Sequence, residues 1–452
     1  MLTALFSLFG ILITILFVIG THEAAHFVAA RCLGVKVLRF SIGFGKKIFS
    51  FHDRSGTEYV LALIPLGGYV KMLDETEDTV PEQERHLAYN QQPYYKKFLI
   101  VLAGPACNIV CALLLYWVVF MVGFVTIKPI IGSITKGSIA AEAGLQSQQE
   151  IIQIDHHDTH TWTGILFRML AHIGDHDHLT LETKKISTQE KKSYILDLSH
   201  WQINALMPDP LTSLGIIPYD PPIPLVIGVI SEKSPAFQAG LQIGDKIIAV
   251  NQTRIKNWNE LITFVAKHPS QVIAFTIERK GKLENISVES GYKRNWLFQK
   301  SGYLGIGPTF KLPQDLLNTL QFGPIDAARH AWQEVSDFTY FNLLIFDKLF
   351  TGKLSLQSLG GPITIFETAG EALNVGFVAF IGFLAFLSLS IGLINLLPIP
   401  GLDGGHLFIQ TIEFIIRRPV PEKIQLGLYR LGFIFIIFIL VQALINDLLR
   451  LY

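Results

Sequence analysis

A nearly uncharged run from Met1 to Ala30 is interrupted once, by His22-Glu23-Ala24-Ala25-His26. No other stretch restricts the fold and chemistry of this chain as much. On a helix, residues four apart share a face, so both imidazoles can hold one zinc ion. Glu23 stands beside them and can take a proton from a zinc-bound water, then pass it to a leaving amine. The pattern is that of a zinc-dependent protease. The plain alternative is a buried pair of hydrogen-bonded histidines. Ionisable side chains inside an apolar span are costly and mark function, which favours the metal.

A catalytic zinc takes three protein ligands and keeps one position open. The third is expected far along the chain, in the stretch from Asn395 to His406, which ends another apolar run. There Asp403 is a carboxylate at membrane depth. Gly404 and Gly405 behind it allow the backbone close to another group. A surface turn built by Pro398, Pro400 and the glycines is the alternative. The adjoining apolar span favours a ligand.

Together the two motifs resemble the site-2 protease family of intramembrane metalloproteases. The resemblance implies one zinc per chain, with His22, His26 and Asp403 as metal ligands and Glu23 as the catalytic base. Members often carry glycine where this chain has Ala25. Alanine is still small, so the metal site is expected to survive the change.

Composition agrees with a membrane protein. Half of the 452 residues are hydrophobic and 16% are charged, against about a quarter charged in soluble proteins. Net charge is zero, which gives no argument for a nucleic acid partner. The three cysteines, Cys32, Cys107 and Cys111, lie in or next to apolar spans and form no disulfide framework. Cys107 and Cys111, four apart on a helix, are read as small packing residues.

The expected architecture is a multi-pass α-helical membrane protein, with four transmembrane helices and two inserted α+β PDZ domains. The spans are read at 3–30, 98–125, 375–397 and 427–446. The first is not a signal peptide: it has no basic leading region and runs into the histidine motif instead of a cleavage site. Residues 1–125 carry the first two spans and a cytoplasmic β-loop. Within that loop, Tyr59 to Leu63 and Gly67 to Met72 read as strands joined through Ile64-Pro65-Leu66. They form either an ordinary hairpin or, as the resemblance implies, a loop dipping into the membrane beside the active site. In the second case Gly67, Gly68 and Tyr69 are substrate-binding, because a strand edge can pair with an unwound segment. Gly104 and Asn108 in the second span fit a pattern for close helix packing, with Asn108 a candidate hydrogen-bond donor behind the metal ligands. Asn395 either holds an unwound substrate backbone or caps the kink before Pro398.

Between the second and third spans the sequence repeats. Gly132, Ser138, Ala143-Gly144-Leu145-Gln146, Ile151-Ile152 and Trp162 recur as Gly228, Ser234, Ala239-Gly240-Leu241-Gln242, Ile247-Ile248 and Trp258 (228 − 132 = 96). A constant offset indicates two copies of one domain. The second copy, 219–310, resembles a PDZ domain. The first, 126–218, is a divergent one, with Ser147-Gln148-Gln149-Glu150 in place of Ile243-Gly244-Asp245-Lys246. The pair binds peptide by strand addition or serves as a steric filter. The Pro-rich stretch from Pro218 to Pro224 links the copies. Residues 311–374 are read as a membrane-proximal helical region. Pro324 starts a helix there, with Ile325, Ala328, Trp332, Val335, Phe338 and Ile345 along its apolar stripe. That helix lies on the membrane surface or packs on the PDZ pair. Residues 375–452 hold the last two spans.

Lys96-Lys97 and Arg417-Arg418 beside span ends mark 31–97 and 400–426 as cytoplasmic. The PDZ copies then face outward, which the resemblance implies is the periplasmic side of a bacterial inner membrane, and the zinc site lies towards the cytoplasmic side. The resemblance further implies the substrates: single-span membrane proteins such as an anti-sigma factor, cut after prior trimming, and remnant signal peptides in the lipid bilayer. The rival reading is a membrane metal-ion transporter or a non-catalytic metal-binding PDZ adaptor. A transporter should repeat its spans. The repeat here is in the soluble part, and an adaptor leaves Glu23 without a task.

Overall fold

The computed structural model describes residues 2–76, 80–174, 177–203, 209–294, 300–309, 312–351 and 361–450. Residues 352–360, within the stretch read as membrane-proximal and helical, lie outside these. The chain forms two compact units. One holds residues 1–127, 134–216 and 318–452; the other holds 128–133 and 217–317.

The elements run in order as follows. Helix α1 (Leu2–Cys32) leads into β1 (Val37–His52), β2 (Glu58–Met72) and helix α2 (Tyr94–Val122). Next come β3 (Phe124–Ile127), β4 (Ile131–Ile134), α3 (Ile139–Glu142), β5 (Gln149–Ile154), β6 (His157–Asp158) and α4 (Trp162–Ala171). The first copy closes with β7 (His178–Lys185), β8 (Lys191–Asp197), α5 (Pro210–Leu214) and β9 (Ile216–Pro218). The second copy has β10 (Ile227–Ile230), α6 (Pro235–Gln238), β11 (Lys246–Val250), β12 (Thr253–Arg254), α7 (Trp258–Ala266), β13 (Val272–Arg279) and β14 (Lys282–Glu289). Helices α8 (Pro324–Phe350), α9 (Pro362–Val375), α10 (Phe377–Asn395), α11 (Asp403–Ile416) and α12 (Glu422–Arg450) complete the chain.

Among the described residues, four helical stretches are long and apolar enough to cross a membrane: Gly10–Cys32, Tyr94–Val122, Phe377–Asn395 and Lys423–Leu449. They match the expected spans within a few residues. Hydroxyls in the first are satisfied inside the helix: Thr14 Oγ1 donates to Gly10 O and Thr21 Oγ1 to Phe17 O, both at 2.8 Å. Between lipid-facing helices there is little hydrophobic drive, so contact depends on small residues and hydrogen bonds. Accordingly, α2 and α10 meet at Gly392, where an added Cβ would lie 3.1 Å from Asn108 Cβ. Ser388 Oγ donates to Asn108 O across the same seam at 2.9 Å. Helix α9 is capped from α12, where Asp447 accepts the backbone N–H groups of Gly361 and Ile363, both at 2.8 Å.

The β-loop differs from its expected form. Ile64-Pro65-Leu66 is not a turn between two strands; it lies inside the single strand β2. β1 pairs with both ends of β2: Ser41 faces Tyr69 as well as Val60, and Phe51 faces Tyr59. Each strand bends back, β1 with the help of Gly43 and Gly45 at φ +91° and +85°. At Gly43 a side chain would also meet Ile64 O at 2.9 Å. Residues 68–72 pair on one side only, with 37–42.

The stripe on α8 is also shifted from expectation. Ala327, Ala331, Val335 and Phe338 are buried with Tyr116, Phe120, Ala385 and Leu389. Ile325 is 79% exposed and Trp332 63%. Small alanines let α8 approach α2 closely, with Val335 and Phe338 of the expected stripe packed beside them, while Ile325 and Trp332 are left outside. Phe167 of α4 stacks on Phe341 with ring centroids 4.3 Å apart.

Each repeat copy carries an antiparallel four-stranded sheet, in the orders β6-β5-β7-β8 and β12-β11-β13-β14. The same devices recur. Ser138 and Ser234 cap single helical turns by accepting N–H groups of Ala141 and Phe237, both at 3.3 Å. The hairpin turns use positive φ at Asp155-His156 (46°, 65°) and Asn251-Gln252 (46°, 63°), as the two-residue turn of a twisted ribbon requires. Where the copies diverge, the geometry is kept with different chemistry. Asp245 Oδ2 accepts Gln242 N–H at 2.8 Å and is paired with Arg279. Gln149 Oε1 accepts Gln146 N–H at 3.1 Å, and its Nε2 donates to Tyr194 Oη. Around Phe275, Ile247 and Ile277 the second copy has its own core. Each such side chain contributes about 1.5–3 kcal/mol on burial.

Candidate active site

The α1 segment around His22 is held by α2. His26 Nδ1–H donates to Ile100 O at 2.7 Å. Asn108 Nδ2 lies 3.4 Å from His22 Nδ1. Gly104 faces the imidazoles themselves: a Cβ there would sit 2.2 Å from His26 Nε2 and 2.8 Å from His22 Cε1. Only glycine leaves both rings in place. Pro105, next in the helix, cannot donate to a carbonyl one turn back, which loosens α2 beside the carbonyl that binds His26.

Asp403 arrives from the other end of the chain as the first residue of α11. That helix can start there because its next two residues lack side chains. A Cβ at Gly404 would meet Leu397 O at 2.2 Å, and one at Gly405 would meet Ile399 O at 2.4 Å. Asp403 Oδ2 then stands 3.1 Å from His22 Nε2 and 3.4 Å from His26 Nε2. The two Nε2 atoms are 3.2 Å apart. Both histidines are buried, at 7% and 8% exposure. Since His26 uses its Nδ1 proton on Ile100, its Nε2 points a lone pair at its neighbours. Asp403 Oδ2 is buried and accepts no hydrogen bond of good geometry among the described residues. His22 Nε2 and Asp403 Oδ2 stand beside that lone pair, so three metal-ligating atoms converge at one buried point, an arrangement that suits a cation. Among the described residues this is the one group of His, Cys, Asp or Glu side chains close enough to hold a metal.

Glu23 lies against the β-loop. A Cβ at Gly68 would be 2.7 Å from Glu23 Cγ, so the bare backbone of this strand runs past the carboxylate. Gly67 lies under the ring of Phe44, which also stacks on Tyr69 with interplanar angle 8°. Tyr69 Oη accepts from Arg39 Nη1 at 3.1 Å. Asn395 ends α10, eight residues before Asp403 (403 − 395 = 8). Its side chain makes no hydrogen bond among the described residues. The sequence reading had not given Gly104 or Ile100 a part in this site. The one available signal was the glycine four residues before Asn108.

The model of peptidase family M50 matches residues 10–439. This chain belongs to that family. The family is zinc-dependent, and the chain is a zinc metalloprotease. Its similarity to individual M50 relatives runs end to end. It is 38% identical over 453 residues to the regulator of sigma-E protease RseP of Salmonella typhimurium, covering all of both chains. It is 37% identical over 452 residues to the protein of that name from Escherichia coli, and 37% to protease RseP of Yersinia pestis, again over all of each.

Proposed function

We propose that His22, His26 and Asp403 hold the zinc of this M50 peptidase, and that Glu23 is its base. The observation that carries the reading is the spacing of the three donor atoms, 3.1, 3.2 and 3.4 Å apart. Tetrahedral zinc with bonds of 2.0–2.1 Å needs neighbouring ligand atoms about 3.3 Å apart. The donor set, two imidazole nitrogens and a carboxylate oxygen, also suits zinc. Bound there, zinc supplies Lewis acidity for the attacking water and the peptide carbonyl.

The remaining work falls to the chain. Glu23 takes the proton of the attacking water and delivers it to the departing amine nitrogen. A transmembrane helix keeps its carbonyls in hydrogen bonds, so the substrate must unwind before attack. Residues 68–72, unpaired along one edge and bare at Gly68, offer it a backbone partner beside Glu23. Gly67 and Tyr69 shape that edge, with Tyr69 fixed by Arg39 and Phe44. Asn395 holds the far side of the unwound segment.

The substrates in this reading are transmembrane segments of single-span proteins, among them an anti-sigma factor after prior trimming, and remnant signal peptides. The names of the relatives, which refer to sigma-E, support it. The two copies with four-stranded sheets and capped helices are PDZ domains in the periplasm, inserted in an inner-membrane enzyme. Asp403→Ala tests the metal site: zinc content should fall from about one per chain, with at least about tenfold loss of affinity. Undiminished zinc would remove Asp403 from the site.

A further inference from the structure

Towards the far end of α2, away from the β-loop, lies a cavity of about 1090 Å³. It is lined by the C-terminal end of α2, the N-terminal end of α10, helix α8, and the β5–β6 hairpin and α4 of the first repeat copy. It is stacked on the candidate active site along one pair of helices. Tyr116 in its wall stands eight residues beyond Asn108 (116 − 108 = 8), and Gly382 ten residues before Gly392 (392 − 382 = 10). At 1.5 Å per helical residue, the floor is about 12–15 Å from the level of His22.

Five carboxylates line the cavity against two permanent cations, with the neutral imidazoles of His157, His160, His172 and His330 among them. Asp155, Asp158, Glu334, Asp337 and Asp347 face Arg168 and Lys348. Both cations are committed, Arg168 to Asp337 at 2.6 Å and Lys348 to Ile173 O. Asp155 is paired with His172 at 2.7 Å. Glu334 makes no ion pair or hydrogen bond among the described residues, although burial and the neighbouring Asp337 push its carboxyl up to about 6 against the pull of Arg168. Thr159 is 4% exposed, lines the same cavity, and its Oγ1 has no hydrogen-bond partner among the described residues. A buried hydroxyl and a carboxylate left without partners are expensive unless something arrives to meet them. Elsewhere the wall is largely apolar, with Phe120, Phe167, Phe338 and Phe341 set among aliphatic residues such as Leu320, Leu344 and Val378.

Aromatic side chains with carboxylates set among them suit a long cationic side chain, whose methylenes pack while its charge is met. An excess of carboxylates disfavours any ligand bearing phosphate, so a phospholipid headgroup fits poorly. The acidic residues are also too dispersed to hold a metal. What reaches this depth is the flank of a segment cut at the candidate active site: 12 Å is about eight residues of helix. We propose that the cavity is a specificity pocket taking a lysine or arginine side chain from the segment that flanks a substrate's membrane span, about eight to ten residues from the bond cut. This rests on the proteolytic reading of His22, Glu23, His26 and Asp403. Basic residues are scarce on the outward flanks of spans, so such a pocket discriminates among substrates.

The test uses the full chain carrying Glu23→Gln, loaded with zinc in nanodiscs. The probes are synthetic peptides with a 20-residue Leu/Ala span and one lysine placed at successive positions of the outward flank, each matched by a glutamine version. The best lysine probe should bind about tenfold tighter than its glutamine partner, as a charge-assisted hydrogen bond allows. Glu334→Gln should bring that ratio close to one. Glu334→Lys should transfer the preference to a probe with glutamate at the same position. Equal binding of every pair, or a lysine advantage that survives Glu334→Gln, overturns the proposal. So does weaker binding of lysine and glutamine probes alike in phosphatidylethanolamine discs than in phosphatidylcholine discs, which assigns the cavity to a lipid headgroup. Cleavage by the unsubstituted chain separates the two readings: probes cut without lysine preference remove the pocket alone, and probes bound but never cut remove the proteolytic reading.

Discussion

A Cβ atom at Gly104 would lie 2.2 Å from His26 Nε2, so the atom of α1 proposed to face the metal is positioned by the absence of a side chain on α2. Gly104→Ala keeps helix propensity and adds one methyl group. That methyl forces the imidazole out of its place, and zinc affinity should fall by about ten- to a hundredfold. Chelator competition on the purified chain measures it. Affinity within twofold of the original would mean that the rings can step aside.

Asn108 meets the other histidine. An imidazole that gives Nε2 to a metal carries its proton on Nδ1, and that proton needs an acceptor. Asn108 Oδ1 is buried and has no partner among the described residues, while Nδ2 lies 3.4 Å from His22 Nδ1. In the zinc-bound chain the amide is expected to present Oδ1 to His22, making Asn108 an acceptor where the sequence had suggested a donor. Asn108→Asp keeps an acceptor and should keep zinc. Asn108→Leu should lose about ten- to a hundredfold in affinity by the same competition assay. Equal affinity in the two variants contradicts this role.

Orientation follows from Lys96-Lys97 and Arg417-Arg418 beside the ends of spans. With Cys32, Cys107 and Cys111 replaced, a single cysteine at Ser138 or Ser234 should react with a membrane-impermeant thiol reagent in intact spheroplasts. Reaction only after lysis would invert the topology.

Much of the site was legible because its chemistry is carried by residue type and spacing. His22, Glu23 and His26 are fixed by helical geometry within one segment, and Asp403 is conspicuous as a carboxylate ending an apolar run. The parts that were not legible depend on contacts across long separations. Gly104 and Ile100 act on His26 from a different helix, and no periodicity in either segment encodes that meeting. Ile64-Pro65-Leu66 has the composition of a turn, yet the pairing of β1 with both ends of β2 draws it into one bent strand. On α8 the stripe holds at Val335 and Phe338, but the packed face also takes in Ala327 and Ala331, because close approach needs small residues, and leaves out Ile325 and Trp332. The repeat was legible from its constant offset, and its divergence at Gln149 is explained by Tyr194 standing in for a charged partner.

The most direct measurement compares proteolysis with zinc content in Glu23→Gln. The substitution keeps the size of the side chain and removes its basicity. The variant should hold about one zinc per chain, and cleavage of a single-span substrate should fall by at least about a hundredfold, the low end of what a positioned base contributes. Zinc-loaded Glu23→Gln that cuts the substrate at the original rate would contradict the account at its centre.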